Sequence, residues 1–582
     1  MPDYFRAVAM DFDGTLTSGG RPADDVLDAI AETRAAGRRA ILVTGRILTE
    51  LRAVFPDVDH WFDAIVAENG AVTSGTRGRR RLAAPVDPRV HRALQQQGHE
   101  VRAGLVLLAC RAEADVDALA AIQHLGLGYQ LVYNRSELMI LPGGVTKGTG
   151  LVQALADLGL SPHSAIGIGD AQNDHSLLEG CELGVAVFNA VDALKDHADL
   201  VLDERDGRGV AAFLRGPVLR GQQRVHPRRW HLDLGATSSG ESVTVPASQI
   251  NLLITGASRS GKSYLTGLVA EELIDLGYSV VLVDPEGDHT NLAQLPSVMA
   301  VGGHDAPPDI EHLTQLIGAG RGSVIVDLSQ MSADTKHAYY QAAPARLEWL
   351  RAGNGLPHWV IFDEAHEPLH DQGPARTVYS PSRKGHCLVT HRPADLCAEA
   401  GDDIDVLIAM LADPTLDPLD EPDPVPDSLA RFTGLTRHAV ITRLGDLHGA
   451  PAVLVRRSAP HDLVAFTPKG RRTSHVRHWH RYTSSTLDWH HRFHFHGTEL
   501  QPTGVVAANI TQFDQAVAHC DPTILAHHLR NGDFSRWIGG TLRDEILAGQ
   551  FETIERAHHH ARANPETARA ELLTALENRY LG

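Results

Sequence analysis

The segment RAVAMDFDGTLT (6–17) is a short apolar run that ends in two acidic residues. This pattern predicts a buried parallel β-strand followed by a glycine-containing loop. Side chains two positions apart on a strand point to the same face, so Asp11 and Asp13 should project together from its carboxyl end. Open α/β sheets bind their ligands at that edge. The segment therefore predicts an α/β domain with a carboxylate-lined site.

Polar residues also mark three later segments: RAILVTGR (39–46), GGVTKGTG (143–150) and SAIGIGDAQND (164–174). The first and third predict strands that end at Thr44 and at Asp170 with Asp174, and the second supplies Lys147. Because the carboxyl ends of parallel strands meet at one edge of a sheet, we expect these groups to lie together.

In this order, the four motifs resemble the haloacid dehalogenase-like (HAD) phosphatase superfamily, over about the first 215 residues. The resemblance implies a Rossmann-like core and hydrolysis of a phosphomonoester through an aspartyl-phosphate. Asp11 would be the nucleophile, and Asp13 would act first as general acid and then as base. An Asp at the second position favours a phosphatase or phosphomutase over the ion pumps of the superfamily, which carry Thr there.

The resemblance also implies the residues that hold the cofactor and the phosphoryl group. The Mg²⁺ ligands would be Asp11, Asp13 (through its backbone carbonyl), Asp170 and Asp174. The substrate phosphate would be held by Thr44, Gly45, Arg46, Lys147 and Asn173. Asp174 and Asn173 would also support the metal and the lysine.

Residues 82–143, between the second and third motifs, predict strand, helix and strand. This insertion resembles the α/β cap of type IIB HAD phosphatases, and AENGAV (67–72) before it is typical of that subgroup. The subgroup includes phosphoglycolate and sugar-phosphate phosphatases. We therefore expect a phosphorylated small molecule as the substrate.

A second phosphate-binding pattern lies in QINLLITGASRSGKSYLTGLVAEELIDLG (249–277), which predicts strand, loop and helix. Its GxxxxGK[ST] spacing lets backbone N–H groups wrap phosphates, while Lys262 reaches the β and γ positions and Ser263 holds Mg²⁺. We expect ATP as the ligand. The predicted ATP-binding residues are Gly256, Ala257, Ser258, Arg259, Ser260, Gly261, Lys262, Ser263, Tyr264, Asp284, Glu286 and His391.

The segment LPHWVIFDEAH (356–366) predicts a strand that ends in Asp363 and Glu364. Asp363 would hold Mg²⁺ through water and Glu364 would polarise the attacking water, which favours ATP hydrolysis. With the P-loop, the segment resembles the HerA/FtsK-like ATPases, over about residues 230–415. That family translocates DNA as rings, which implies a homo-oligomer. His391 stands where the family usually has a glutamine that senses the γ-phosphate.

The chain carries 53 Lys and Arg against 72 Asp and Glu, a formal net charge of −19. This balance disfavours a protein that coats nucleic acid with a uniformly basic surface. Five scattered cysteines without CxxC spacing predict neither a disulfide framework nor a zinc ribbon. The N-terminus lacks a signal-peptide layout and no apolar run has the length of a membrane span, so we expect a cytoplasmic protein without a membrane partner.

We therefore expect a multidomain α/β chain. Its predicted parts are a HAD-like domain (1–215), a linker with entry strands (216–245), a P-loop ATPase domain (246–415), a linker or lid with the end of the ATPase region (416–470), and a His/Arg-rich segment with a helical module (471–582). The His-rich segment 469–496 has three interpretations: a half-exposed β-rich region, a surface for nucleic acid or phosphate, and a metal site.

Two functions stay open at this point. One is an Mg²⁺-dependent phosphatase for a small phosphomonoester, fused to an ATP-hydrolysing domain. The other is a DNA-associated ATPase whose HAD domain processes or senses nucleic-acid ends; the net charge of −19 favours the first. A kinase–phosphatase pair like the polynucleotide end-healing enzymes is a third idea, which FDEAH (362–366) disfavours.

Overall fold

The structure is a computed structural model of the chain. It describes residues 4–134, 136–303, 305–306, 309–318, 322–412, 423–447, 449–473, 487, 489–497, 501–542, 544–559 and 564–581.

An eight-stranded sheet forms the centre of the N-terminal domain, in the order β12-β11-β10-β1-β2-β3-β4-β5. Strand β1 lies between β10 and β2 and is parallel to both, and all five of its residues are buried, as expected for an apolar run covered on both faces. The strands are β1 Ala7–Asp11, β2 Arg39–Val43, β3 Ala64–Ala67, β4 Val72–Gly75, β5 Gly78–Arg81, β10 Ala165–Gly169, β11 Leu183–Ala186 and β12 Leu200–Val201. The helices are α1 Asp24–Ala35, α2 Leu48–Val54, α3 Val58–Trp61, α6 Lys147–Asp157, α7 His175–Glu179, α8 Asp192–His197 and α9 Asp206–Leu214.

The basic stretch RGRRR (77–81) lies at the edge of this sheet. Most of it forms β5, the exposed edge strand that pairs antiparallel with β4. Charged side chains are common on such edges because they discourage pairing with another chain.

The insertion between β5 and α6 is a small α/β layer with its own buried core. Its four strands pair antiparallel in the order β6-β7-β9-β8. Its elements are α4 Pro88–Gln96, β6 Arg102–Ala103, β7 Leu108–Arg111, α5 Asp115–His124, β8 Tyr129–Asn134 and β9 Glu137–Pro142. We refer to this layer as the cap.

A second domain is built on an eleven-stranded sheet in the order β14-β13-β23-β22-β21-β15-β20-β19-β16-β18-β17. The seven strands from β21 to β17 are parallel, and the other four extend the sheet antiparallel. Apolar clusters cover both faces. The strands are β13 His231–Ala236, β14 Ser242–Pro246, β15 Asn251–Gly256, β16 Val280–Asp284, β17 Val298–Gly302, β18 Ser323–Asp327, β19 Trp359–Phe362, β20 His386–Thr390, β21 Val406–Met410, β22 Ala452–Arg456 and β23 Ala459–Pro468. The helices are α10 Lys262–Asp275, α11 Ile310–Gly318, α12 Ala333–Asn354, α13 Ala398–Asp402, α14 Val425–Thr433 and α15 Arg437–Gly445.

A hairpin and five helices form the C-terminal module around an aromatic-rich core. Its elements are β24 Phe493–His496, β25 Pro502–Ala507, α16 Ile510–His519, α17 Pro522–Asn531, α18 Asp533–Trp537, α19 Glu545–Ala557 and α20 Pro565–Leu576. In the part of the chain that the structure describes, no helix is both long and apolar enough to cross a membrane.

The two large sheets contact each other through the residues that precede their parallel strands. His163, before β10, donates from Nε2 to the Leu276 carbonyl at the end of α10 (2.8 Å). Glu182, before β11, is fully buried and accepts a hydrogen bond from the Tyr278 hydroxyl, before β16 (2.7 Å). It also accepts a hydrogen bond from Ser248, before β15. The amino edges of both sheets therefore meet at this interface, and their carboxyl edges lie at the far ends of the two domains.

Candidate active sites

The first site lies at the carboxyl edge of the N-terminal sheet. Asp11 is the last residue of β1, Asp170 directly follows β10, and Asp174 lies in the next turn. All three are buried, and one carboxylate oxygen of each lies within 4.8 Å of the others. Like charges so close in a buried position are stable only with a compensating cation.

Lys147 supplies part of that compensation from the first turn of α6. Its Nζ donates to Oδ1 of Asp11 and to Oδ1 of Asp174, both at 2.6 Å. Burial disfavours the charged ammonium, but the two carboxylates outweigh it and raise the pKa of Lys147. Burial and the negative charge of Asp174 raise the pKa of Asp11 well above its usual range. With all three carboxylates ionised, the one ammonium leaves two negative charges, which a divalent cation with oxygen ligands would balance.

The two oxygens of Asp174 already have protein partners. Oδ1 binds Lys147, and Oδ2 accepts from the backbone N–H groups of Asp170 and Ala171 at 3.0 and 2.9 Å. The hydroxyl of Thr15 donates to Asp170 (3.0 Å). This arrangement favours a supporting role for Asp174, in which it holds the lysine and the loop that carries Asp170.

Asp13 and Arg46 form a bidentate ion pair beside the carboxylates. Nε and Nη2 of Arg46 each lie 2.6 Å from an oxygen of Asp13. The buried Thr44 hydroxyl accepts from the Arg46 backbone N–H (3.1 Å). Asn173 donates to the Asn69 side chain (3.1 Å), so the predicted phosphate-binding residues lie around one edge.

A cavity of about 330 Å³ opens on this edge between the sheet domain and the cap. The sheet domain contributes Asp13, Gly45 and Arg46 to its lining. From the cap, Arg102 lies at the cavity and donates to Glu50 of the sheet domain (2.8 Å) and to Glu137 of the cap. The cavity is thus small and polar, and an ion pair across it joins the cap to the core.

Sequence reasoning missed the anchor of the cap, Glu68. This fully buried carboxylate accepts from the backbone N–H groups of Leu105, Val106 and Leu107 at 2.8, 2.8 and 3.2 Å. A Cβ at Gly104 would lie 2.5 Å from the Glu68 carboxyl group. The segment AENGAV contained this residue, but only the folded cap shows what it binds.

The second site lies at the carboxyl edge of the eleven-stranded sheet, where a loop joins β15 to α10. Gly261 has φ = 95°, which favours glycine, and a Cβ at Gly256 would lie 2.5 Å from the Met410 carbonyl oxygen. Nζ of Lys262 donates to the Ala257 carbonyl (3.0 Å). Ser258, Arg259, Ser260 and Ser263 complete this short loop and the start of the helix.

Two acidic residues follow β19 on the same edge, and β20 separates β19 from β15. Burial favours a raised pKa for Asp363, but the hydrogen bond and charge of His289 outweigh it and lower the pKa. His289 lies 3.1 Å from Asp363 and was missed as a site residue in the sequence. Burial and the charge of Asp363 raise the pKa of Glu364 to about 8. Nδ1 of His391 lies 2.9 Å from Oε2 of Glu364.

Three residues predicted to bind ATP, Asp284, Glu286 and Tyr264, either contact other parts of the protein or are exposed to solvent. Both oxygens of Asp284 accept from its own loop, including the His289 N–H at 2.8 Å, and burial raises its pKa to about 6. Glu286 is exposed. The hydroxyl of Tyr264 donates to the Lys469 carbonyl (3.1 Å), which ties α10 to the chain after β23.

The His-rich segment is described only in part. His475, His478 and His480 lie outside the described residues. His490, His491, His494 and His496 are described, and none of them belongs to a cluster of three metal-capable side chains within the described residues.

Comparison with known proteins finds relatives of the N-terminal domain. The family model of haloacid dehalogenase-like hydrolases matches residues 8–106 and 129–214. A phosphoglycolate phosphatase of Methanothrix thermoacetophila is 32% identical over 216 residues, which are 36% of this chain and 95% of that protein. One from Archaeoglobus fulgidus is 30% identical over 220 residues, 36% and 96% of the two chains.

A solved haloacid dehalogenase-like hydrolase from B. subtilis has 18% identity and a TM-score of 0.32, and covers 36% of this chain and 99% of its own. The family match and the two phosphoglycolate phosphatases show that the N-terminal domain has the Rossmann-like α/β fold of this family and a phosphotransferase or phosphatase function. Through residues 8–214, the chain belongs to the haloacid dehalogenase-like hydrolase family.

Proposed function

We propose that the N-terminal domain hydrolyses a small phosphomonoester with Mg²⁺ and an aspartyl-phosphate intermediate. The observation that supports this most directly is the buried group of Asp11, Asp170 and Asp174 around Lys147. Asp11 and Asp170, with the Asp13 carbonyl, would hold Mg²⁺, which would neutralise charge on the phosphoryl oxygens.

The side chains of this site support the two chemical steps. Asp11 attacks phosphorus and the ester bond breaks, while Asp13 gives its proton to the leaving oxygen. Asp13 then takes a proton from the water that attacks the aspartyl-phosphate. Lys147 and Thr44 bind the phosphoryl oxygens. Arg46 occupies both oxygens of Asp13 at 2.6 Å, so it must turn to the substrate before Asp13 can take up a proton and pass it to the leaving oxygen.

The cavity favours a short, acidic substrate such as 2-phosphoglycolate. Its volume of about 330 Å³ lies at the lower end of the usual range for ligand pockets. Arg46 and Arg102 line it, and a guanidinium is well suited to bind a substrate carboxylate. Relatives that cover the same 36% of the chain are named phosphoglycolate phosphatases.

Phosphate release from a panel of phosphomonoesters tests this proposal. The panel contains 2-phosphoglycolate, sugar phosphates, nucleotides and 3′-phosphorylated oligonucleotides, each with Mg²⁺ and with EDTA. We expect turnover of 2-phosphoglycolate that stops with EDTA. Phosphate release from the oligonucleotides alone would show that the substrate is a nucleic acid and would overturn the proposed small-molecule substrate.

We further propose that the second domain binds and hydrolyses ATP. The supporting observation is that the 256–263 loop, Asp363 and Glu364 lie on one edge of a parallel sheet, with β20 between their strands. Backbone N–H groups of the loop would cradle the phosphates, and Glu364 would polarise the attacking water. Release of phosphate from MgATP, with and without duplex DNA, tests this proposal. Acceleration by DNA would favour the translocase alternative. No hydrolysis in either case would overturn the proposal that the second domain is an ATPase.

A further inference from the structure

Three side chains on the N-terminal domain form a cluster that neither site uses. His175 and Glu179 lie on α7, and His197 is the last residue of α8. One candidate ligand atom from each of the three lies within 4.8 Å of the other two. His175 is half-buried, and Glu179 and His197 are exposed, so a solvent ion can reach the cluster.

The local geometry orients these side chains toward one another. His175 and Glu179 are four residues apart, which places them on one face of α7. The rings of His175 and His197 are nearly perpendicular, at 86°, with centroids 4.9 Å apart. Nδ1 of His197 donates to the Ala193 carbonyl (3.0 Å), so its Nε2 is the nitrogen left to bind a ligand. Metal-binding histidines commonly have their second ring nitrogen fixed in this way.

We propose that His175, Glu179 and His197 form a site for a divalent transition metal ion, with Zn²⁺ as the preferred ion. Two imidazoles and one carboxylate are a common zinc ligand set, and water would complete the coordination. Imidazole nitrogen suits Zn²⁺ better than Mg²⁺, which prefers oxygen ligands. The site is therefore chemically distinct from the all-carboxylate site of Asp11, Asp170 and Asp174.

A metal at this cluster would join α7 to α8 beside the catalytic edge. His175 directly follows Asp174, which holds Lys147 at 2.6 Å. Ser176, the next residue, accepts from the backbone N–H of Gly148 (3.2 Å) on α6. Metal binding would therefore restrain the turn that positions the catalytic lysine, and we expect it to stabilise the N-terminal domain.

The test uses the full-length chain and Zn²⁺ itself. Crystals soaked in ZnCl₂ and measured at the zinc absorption edge should show an anomalous peak between the three side chains. Because the chain has 34 histidines, calorimetric titration is read as a difference between variants. One zinc equivalent should bind at the cluster. His197→Ala and, separately, Glu179→Gln should each lower the affinity for that equivalent by about tenfold or more. The Tm gain with Zn²⁺ should shrink in parallel.

Two controls separate this site from other zinc-binding groups. His124→Ala, an exposed histidine on the cap, should bind zinc as the wild type does. Asp170→Asn, in the catalytic site, should keep the anomalous peak at the cluster. Circular dichroism without zinc checks that each variant folds. If His197→Ala does not fold, Glu179→Gln alone tests the site. The absence of the peak, or wild-type stoichiometry and affinity in both folded cluster variants, would overturn the proposal.

Discussion

The two candidate sites each place a buried lysine at the carboxyl edge of a parallel sheet, but they hold it differently. Lys147 is 1% exposed and lies between two carboxylates at 2.6 Å. Lys262 is 7% exposed and donates to a carbonyl of its own loop at 3.0 Å. Asp11 at the end of β1 and Asp174 after β10 hold the first lysine by charge, whereas the second lysine contacts the backbone of its own 256–263 loop.

This difference indicates how each site prepares for a phosphoryl group. In the first site, Asp11, the proposed nucleophile, and Lys147 are in contact without a substrate. In the second, the lysine contact with Ala257 would be exchanged for a phosphate contact under the proposed nucleotide binding. We therefore expect a preorganised first site and a second site that responds to its ligand.

The largest expected effect separates the two chemistries. Asp11→Asn removes the nucleophile and should lower phosphatase turnover by about 10³-fold or more, with ATP hydrolysis unchanged. Phosphate release from 2-phosphoglycolate and from MgATP measures both on one preparation. Asp28→Asn, an exposed acid on α1, is the matched control and should keep both activities. Equal loss of ATP hydrolysis would contradict separate sites.

The reciprocal variant tests the second site. Lys262→Ala should lower ATP hydrolysis by about 10²- to 10³-fold, because the ammonium that meets the β and γ phosphates is lost. Phosphatase turnover should stay close to that of the wild type, since the two catalytic edges lie at the far ends of their domains. A parallel fall in phosphatase activity of the folded variant would show that the sites are coupled.

The pH dependence should distinguish the sites next. Burial and the charge of Asp363 raise the pKa of Glu364 to about 8, so the ionised form that polarises water increases as pH rises through that value. The kcat/KM for ATP should therefore rise about 50-fold over the two pH units below about 8. Initial rates in buffers of constant ionic strength measure this. A flat profile over that range would remove Glu364 from the role of base.

The smallest effect concerns the interface between the domains. Tyr278→Phe removes a hydroxyl that donates to the fully buried Glu182 (2.7 Å), and should lower the free energy of unfolding by about 2 kcal/mol. Urea unfolding followed by tryptophan fluorescence measures the loss. Tyr339→Phe is the matched control: within the described residues this buried hydroxyl has no hydrogen-bond partner, so its loss should cost little. Equal loss of unfolding free energy in both variants would show that the hydrogen bond to Glu182 does not stabilise the interface.

Local patterns predicted much of the first domain. The apolar run before Asp11 and Asp13 predicted an α/β core, and the comparisons confirm the family and fold of residues 8–214. The individual roles of Asp11, Asp13 and Lys147 stay predictions, as does the ATPase activity. Each of these residues was found because it follows an apolar strand or opens a helix, which a single stretch of sequence can show.

Contacts between distant segments could not be predicted in this way. Glu68 binds N–H groups 37 to 39 residues later, and nothing in AENGAV specifies where the cap will fold back. His289 is 74 residues from Asp363, and its position depends on the pairing of β16 with β19. Residues that act through tertiary contacts need the assembled sheet before their partners are known.

The contact between the amino edges of the two sheets has a consequence for how the protein meets other molecules. Each candidate site lies at the edge of its sheet that faces away from the other domain, so a large molecule bound at one site leaves the other accessible. The geometry therefore allows a large ligand at one site and a small ligand at the other at the same time. The contact between the two domains keeps the two ligand-binding sites apart without a long flexible linker.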